Sequence, residues 1–244
     1  MGLFDFFSSD KGARDEKTVD RLKKKLLNKH HQTAERKRAI ELLAGLGSEA
    51  AISALLYRFS FHTPGTIVDE EEKDMVFDAL KEAGAKTIRP LEEFIQKENT
   101  VYWPIRALAE IAGEERAVDT VLASLDGIQD RFEQSMDRMT QLVSCLRDFQ
   151  SPKVMARLIA LLEDDAEEIR FLALDGLSTF DEHEEAVDAI VSRLLVAEET
   201  GRIKTFVTDL LLERRWNVRK NRKLLSEQLP AQYFVDDTGV VQRR

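Results

Sequence analysis

The sequence predicts an all-α protein, a right-handed α-α superhelix of about six helical hairpins closed by a short C-terminal β-hairpin or extended tail. Three observations carry this. First, the stretches RAIELLAGLGSEAAISALLYRF, MVFDALKEAGAKTIRPLEEFIQ, WPIRALAEIAGEERAVDTVLASL, QLVSCLRDFQSPKVMARLIALLE and RFLALDGLSTFDEHEEAVDAIVSRLL share one grammar, an apolar helix, a break and a second amphipathic helix. Second, Leu43, Leu80, Leu108, Leu146, Leu177 and, in a more divergent sixth unit, Leu211 recur with a mean period of about 34 residues, in the range of two-helix repeats. Third, 33% of residues are charged, 7% are aromatic, and there are only 11 Gly and 5 Pro in 244 residues, which suits helices with solvated faces better than sheet or disorder.

The elements follow in order. Residues 1–15 form an apolar, flexible segment, and residues 16–229 form the repeat array. Its first helix, in EKTVDRLKKKLLNKHH, sets Val19, Leu22 and Leu26 on one face and lysines on the other, as a cap over the first hairpin requires. The second helices of the hairpins show the stripe that a neighbour must bury: Ile52, Leu55, Leu56 and Phe59; Val118, Val121, Leu122 and Leu125; Val187, Ile190, Val191, Leu194 and Leu195. Ser48 and Ser151 are placed to cap helix N-termini, with Pro152 at a first helical position where its missing N–H costs nothing. Gly47, Gly84 and Gly113 sit at the breaks, and Asn217 is placed as a further N-cap. Residues 230–244 leave helix behind: Tyr233 to Val235 and Val240 to Gln242 flank the turn signal DDTG.

These stretches resemble the HEAT-repeat family, above all its short bacterial form with the bilin-lyase type of repeat, in which a D-x-x-x-x-x-R lead is followed by A-x-x-x-L and an A-V-x-x-L second helix. The closest match is Asp164 through Arg170 with Leu177, Ala186, Val187 and Leu195, and the likeness spans about residues 36 to 229. It implies an armadillo-like helical architecture and leaves activity open. A tetratricopeptide array has the same period, but its Trp, Leu-Gly, Tyr and terminal Pro pattern does not recur.

Charge is unevenly placed. Residues 1–38 hold 11 Lys/Arg against 6 Asp/Glu, residues 39–200 hold 15 against 34, and residues 201–244 hold 10 against 5, within a net charge of -9. No run reaches the roughly 18 apolar residues of a membrane span, and no signal peptide pattern opens the chain, so a cytoplasmic setting is expected. The opening MGLFDFFSS resembles, over about seven residues, the amphipathic membrane-binding helices of phage-shock-type proteins. It makes Leu3, Phe4, Phe6 and Phe7 candidates for docking to a partner or to the inner membrane, although Phe6 stands where an acylation signal needs Ser or Thr.

Catalytic patterns are sparse. Cys145, the one cysteine, lies in an apolar helical pattern and reads as a buried, inert thiol. His30, His31, His62 and His183 are scattered, and His183-Glu184 is the one His-Glu pair, where HEAT-like deoxyhypusine hydroxylases carry four around a di-iron centre. No cofactor or metal is expected, and Asp69 to Glu72 and Glu163 to Asp165 read as solvated inter-helix charge. Two enzyme alternatives are a bilin-lyase-type activity and a HEAT-like alkylpurine DNA glycosylase. The latter would use Trp103 or Trp216 with Arg106, exposed on a concave face beside a carboxylate; a scaffold would bury both tryptophans.

The stretch ERRWNVRKNRKLL supplies the candidate partner surface: Arg214, Arg215, Arg219, Lys220, Arg222 and Lys223, joined by Arg202 and Lys204. Continued as one helix, it would put Arg215, Arg219, Arg222 and Lys223 on one face. The sequence therefore predicts a non-catalytic protein-interaction scaffold, with an acidic protein ahead of nucleic acid as the partner of the basic face and no small-molecule substrate.

Overall fold

The structure, a computed structural model, describes residues 3–130, 132–180 and 183–244, with side chains from Asp15 onward. The candidate docking side chains Leu3, Phe4, Phe6 and Phe7 therefore lie outside the described side chains. The helices among the described residues are α1 (Leu3–Leu27), α2 (Thr33–Leu46), α3 (Glu49–Leu56), α4 (Thr66–Ala83), α5 (Ile88–Lys97), α6 (Tyr102–Ala112), α7 (Glu114–Asp126), α8 (Glu133–Leu146), α9 (Pro152–Leu161), α10 (Glu167–Leu177), α11 (Glu184–Leu195), α12 (Gly201–Arg214) and α13 (Arg222–Gln228). A two-stranded antiparallel sheet, β1 (Tyr233–Val235) and β2 (Val241–Arg243), pairs Phe234 with Gln242. The second strand begins one residue later than the sequence pattern placed it.

The fold is all-α, built from helical hairpins in two compact units, Met1–Leu142 and Val143–Arg244. In the first unit α2, α4 and α6 pack in series, and α1, α3, α5 and α7 pack in a second series behind them. In the second, α9, α11 and α13 form such a row, while α10 and α12 pack against it and the strands lie on α12 and α13. Within each unit the amphipathic stripes are largely buried by a neighbouring hairpin, with Leu122, Val187 and Leu195 half-buried, which is how a repeat too thin to own a core acquires one. Leu43, Leu80, Leu108, Leu146, Leu177 and Leu211 all have 0% exposure. Val19, Leu22 and Leu26 of α1 are buried as the cap.

Local signals act as their chemistry requires. Ser48 accepts from the Ala51 N–H and Ser151 from the Val154 N–H, each satisfying a donor that the helix leaves unpaired. Gly47 ends α2 at φ 56°, a left-handed conformation that a Cβ disfavours.

The acidic clusters correct the sequence reading. Asp69 and Glu72 are not loop charge: both lie in α4, 3% and 0% exposed, because the start of α4 packs across the α2/α3 hairpin. Glu72 accepts from Arg36 Nε at 3.0 and 3.2 Å and from Arg58 Nε at 2.8 Å. Asp69 accepts from Arg58 Nη2 at 2.7 Å, from the Thr63 N–H at 2.7 Å and from Lys73 Nζ at 2.6 Å. Burial by itself would raise the Asp69 carboxyl, but the hydrogen bonds from Lys73, Arg58 and Thr63 hold it well below the usual carboxylate range. Only Glu70 and Glu71 face solvent, each near a lysine.

The second unit repeats this device. Glu199 accepts from Arg170 Nε and Nη2 at 3.1 and 2.7 Å, from Arg193 through two nitrogens, and from the Thr200 N–H at 2.9 Å. Arg170 also donates to the backbone carbonyls of Asp164 and Asp165 and Arg193 to the Glu163 carboxylate, while the Glu163 and Asp165 side chains stay exposed between α9 and α10, as the sequence pattern placed them. Arg36 and Arg170 each stand seven residues before their repeat leucine, Arg58 lies in the 3₁₀ turn directly after α3, and Arg193 lies in the last turn of α11. Two guanidinium groups on one carboxylate therefore lock a hairpin to the start of the next helix in both units.

Candidate partner-binding site in the C-terminal segment

The basic stretch is not one helix face. Arg215 adopts φ 55° and ψ 34° and ends α12, so the chain turns at residues 215–218, passes through a 3₁₀ turn at Arg219–Asn221 and restarts as α13. The cause lies in the hairpin. Its turn docks on this segment: the Val218 N–H donates to the Gly239 carbonyl at 2.8 Å, Asn217 Nδ2 donates to the Thr238 carbonyl at 3.2 Å, and Val218 is drawn to 1% exposure. Asn217 does not cap α13. Its Oδ1 accepts from the Arg219 N–H and fixes the local turn instead.

Gly239 is where this docking is tightest. It has φ 91°, and a Cβ there would stand 2.5 Å from Asn217 Oδ1 and 2.7 Å from Arg219 Cβ. Gly239→Ala is expected to cost about 1–3 kcal/mol, from the positive φ together with the clash. Urea unfolding in a Trp103→Phe background, in which Trp216 reports, should show the loss, and an unchanged midpoint would refute the docking role.

The eight candidate cations separate into two groups. Arg202 bridges Glu168 at 2.6 Å and lies over the Phe171 ring; Lys204 Nζ donates to the Ala197 carbonyl; Lys220 bridges Glu184 at 2.9 Å and also Asp188; Arg222 bridges Asp237 at 3.0 Å; Arg214 reaches Glu213 at 3.9 Å. These five are engaged within the unit. Arg215, Arg219 and Lys223 are exposed and form no ion pair with any described residue. In α13, Leu225 is buried and Leu224 is 51% exposed.

Neither tryptophan fits either sequence expectation cleanly. Trp103 is half-buried, stacked on Phe59 at 5.9 Å, edge-on to Phe77 and Tyr102, with the Arg106 guanidinium 5.1 Å from its ring centre. Its surroundings are rings and a cation. Trp216 is half-buried too and lines a groove of about 490 Å³ with Val187, Glu184 and Asp188. Those two carboxylates share Lys220. Hydrogen bonding to the ammonium lowers the Glu184 carboxyl from its ordinary value, the opposite of what a general base near neutral pH needs. Cys145 is buried, and burial pushes its thiol up to about 12, far from a nucleophile's range.

The histidines stand apart: His31 pairs with Glu35, His62 is 3.1 Å from Asp69, and His183 lies against Phe180. No group of three potential metal ligands occurs among the described residues, and no described helix is long and apolar enough to cross a membrane.

No protein-family model and no curated protein matches the chain. Among solved structures it is similar to an engineered protein (12% identity, TM-score 0.34, 86% of this chain and 71% of that one). A second is human deoxyhypusine hydroxylase in complex with glycerol (15% identity, TM-score 0.34, 89% and 95%). A third is a computationally designed armadillo repeat protein for modular peptide recognition (16% identity, TM-score 0.36, 82% and 98%). At these TM-scores the likenesses bear on neither activity nor partners.

Proposed function

We propose that the chain is a non-catalytic, cytoplasmic protein-interaction scaffold whose C-terminal segment docks an acidic protein partner. The observation that carries the reading is the division of the cations. In a chain of net charge -9, Arg202, Arg214, Lys220 and Arg222 face carboxylates of their own unit, while Arg215, Arg219 and Lys223 are left facing solvent without counter-ions among the described residues. Exposed, unpaired charge of that kind steers a complementary surface and selects against like-charged ones. The binding candidates thus narrow from eight cations to these three, with Arg202, Lys204, Arg214, Lys220 and Arg222 in supporting roles. The carboxylates beside Trp216 are spoken for by Lys220, which favours a scaffold over an enzyme.

The test is a capture from nuclease-treated extract of the source cell, comparing the wild-type chain with Arg215→Glu, Arg219→Glu and Lys223→Glu combined. The expected outcome is a specific protein whose recovery falls at least about tenfold in the triple variant, with unfolding unchanged. If nucleic acid were the species recovered before nuclease and lost in the variant, the scaffold reading would give way to a nucleic-acid one.

A further inference from the structure

The groove beside Trp216 is bounded on one side by the first turns of α11 and on the other by residues 216–220. Its centre is apolar, formed by Val187 and the half-buried indole of Trp216. Its two rims differ. On the α11 rim, Glu184 and Asp188 share one ammonium, that of Lys220, so the rim keeps a net negative charge. On the other rim stands Arg219, whose backbone is pinned through Asn217 and whose guanidinium has no described ion-pair partner. A volume of about 490 Å³ lies inside the range of about 300–1,000 Å³ typical of ligand sites.

Building on the scaffold reading, we infer that this groove is the anchor pocket for the acidic partner. It receives one large apolar or aromatic side chain against Trp216 and Val187, while a neighbouring carboxylate of the same partner segment pairs with Arg219. A buried apolar anchor flanked by an Arg contact is the arrangement in which binding energy concentrates at interfaces. The groove discriminates against a nucleic acid strand, because a run of phosphates along it would also meet Glu184, which is 85% exposed at its side chain, and Asp188. A peptide sets one carboxylate on Arg219 and turns its other carboxylates to solvent, away from that rim, which a strand with phosphates at fixed spacing does not do.

The test uses the full chain carrying Trp103→Phe, so that emission reports Trp216 alone. Blocked peptides EEFEE, EEAEE and KKFKK and an oligothymidylate of five nucleotides are titrated to millimolar concentration. EEFEE is expected to shift the emission saturably, and EEAEE to bind about tenfold more weakly. KKFKK should leave the emission unchanged. Arg219→Glu should weaken EEFEE about tenfold while the unfolding midpoint stays in place, and Val187→Glu should abolish the shift.

The inference is overturned if EEAEE binds as well as EEFEE, if Arg219→Glu has no effect, if the oligothymidylate binds more tightly, or if EEFEE gives no saturable shift. The two readings fail separately. An EEFEE failure alongside a protein capture that depends on Arg215, Arg219 and Lys223 removes the groove and leaves the scaffold. EEFEE binding without any such captured protein leaves the groove and removes the scaffold.

Discussion

Replacing Glu72 with Gln should cost about 3–5 kcal/mol of stability, the largest loss expected from any single polar change in the first unit. The carboxylate is wholly buried and is the shared acceptor of Arg36 and Arg58, the latter itself 0% exposed. Glutamine keeps the size but loses the charge and presents one donor where both guanidinium groups require acceptors. Arg58 would then rely on Asp69, which also serves Lys73, and Arg36 would keep only the His31 carbonyl and the Thr33 hydroxyl. The penalty is the desolvation of the stranded charges, more than the loss of the hydrogen bonds themselves. Urea unfolding of a Trp216→Phe background, in which Trp103 reports, should show the midpoint fall. A shift below about 1 kcal/mol would mean that water reaches the cluster and screens it.

Glu199→Gln should cost a similar amount in the second unit, and its cost should depend on pH in a defined sense. Burial alone would raise the Glu199 carboxyl; the hydrogen bonds from Arg170, Arg193 and the Thr200 N–H outweigh it and hold it at about 2. Because the folded value lies below the ordinary carboxylate value, the ionised group stabilises the fold fully above about pH 4.5. That contribution is lost progressively as pH falls from there through about 2, where the wild-type side chain becomes neutral like the amide. The difference in stability between wild type and Glu199→Gln should therefore be flat from neutrality to about pH 5 and shrink below it. Taking the difference removes the acid titration of Asp69 and Asp236, which are also held below their ordinary values but are common to both proteins. A pH-independent gap between the two curves would show that Glu199 contributes shape and not charge.

Much of the architecture was legible because a helical hairpin announces itself locally. Six leucines at one repeat position, Ser48 and Ser151 at helix starts and Gly47 at a break each follow from interactions within a few residues, and all sit where the pattern placed them. What escaped was decided between elements. Asp69 and Glu72 look like solvent charge because nothing nearby in sequence says that Arg58, more than ten residues earlier, will meet them. A signal did exist: a basic residue seven positions before the leucine recurs in Arg36, Lys73, Arg170 and Lys204. A recurrent charge at a fixed distance from a core residue points to a partner inside the repeat.

The basic stretch failed for a related reason. Its spacing is genuinely helical, and the turn at Arg215 uses a non-glycine residue in a left-handed conformation, which no local preference favours. Only the hairpin arriving from residues 236–239 explains it. The site likewise depends on α11, which supplies Glu184, Val187 and Asp188 from about thirty residues away.

The paired clamps also bear on misassembly. Hairpins built to one grammar offer nearly interchangeable apolar faces, so a helix displaced by a turn, or seated on the wrong neighbour, would still bury leucine against leucine. Such a slip would carry Arg58 away from Glu72 and Asp69, or Arg193 away from Glu199, and leave a desolvated guanidinium with no anion in reach. Hydrophobic contact makes the hairpins adhere, and the buried ions decide which alignment survives.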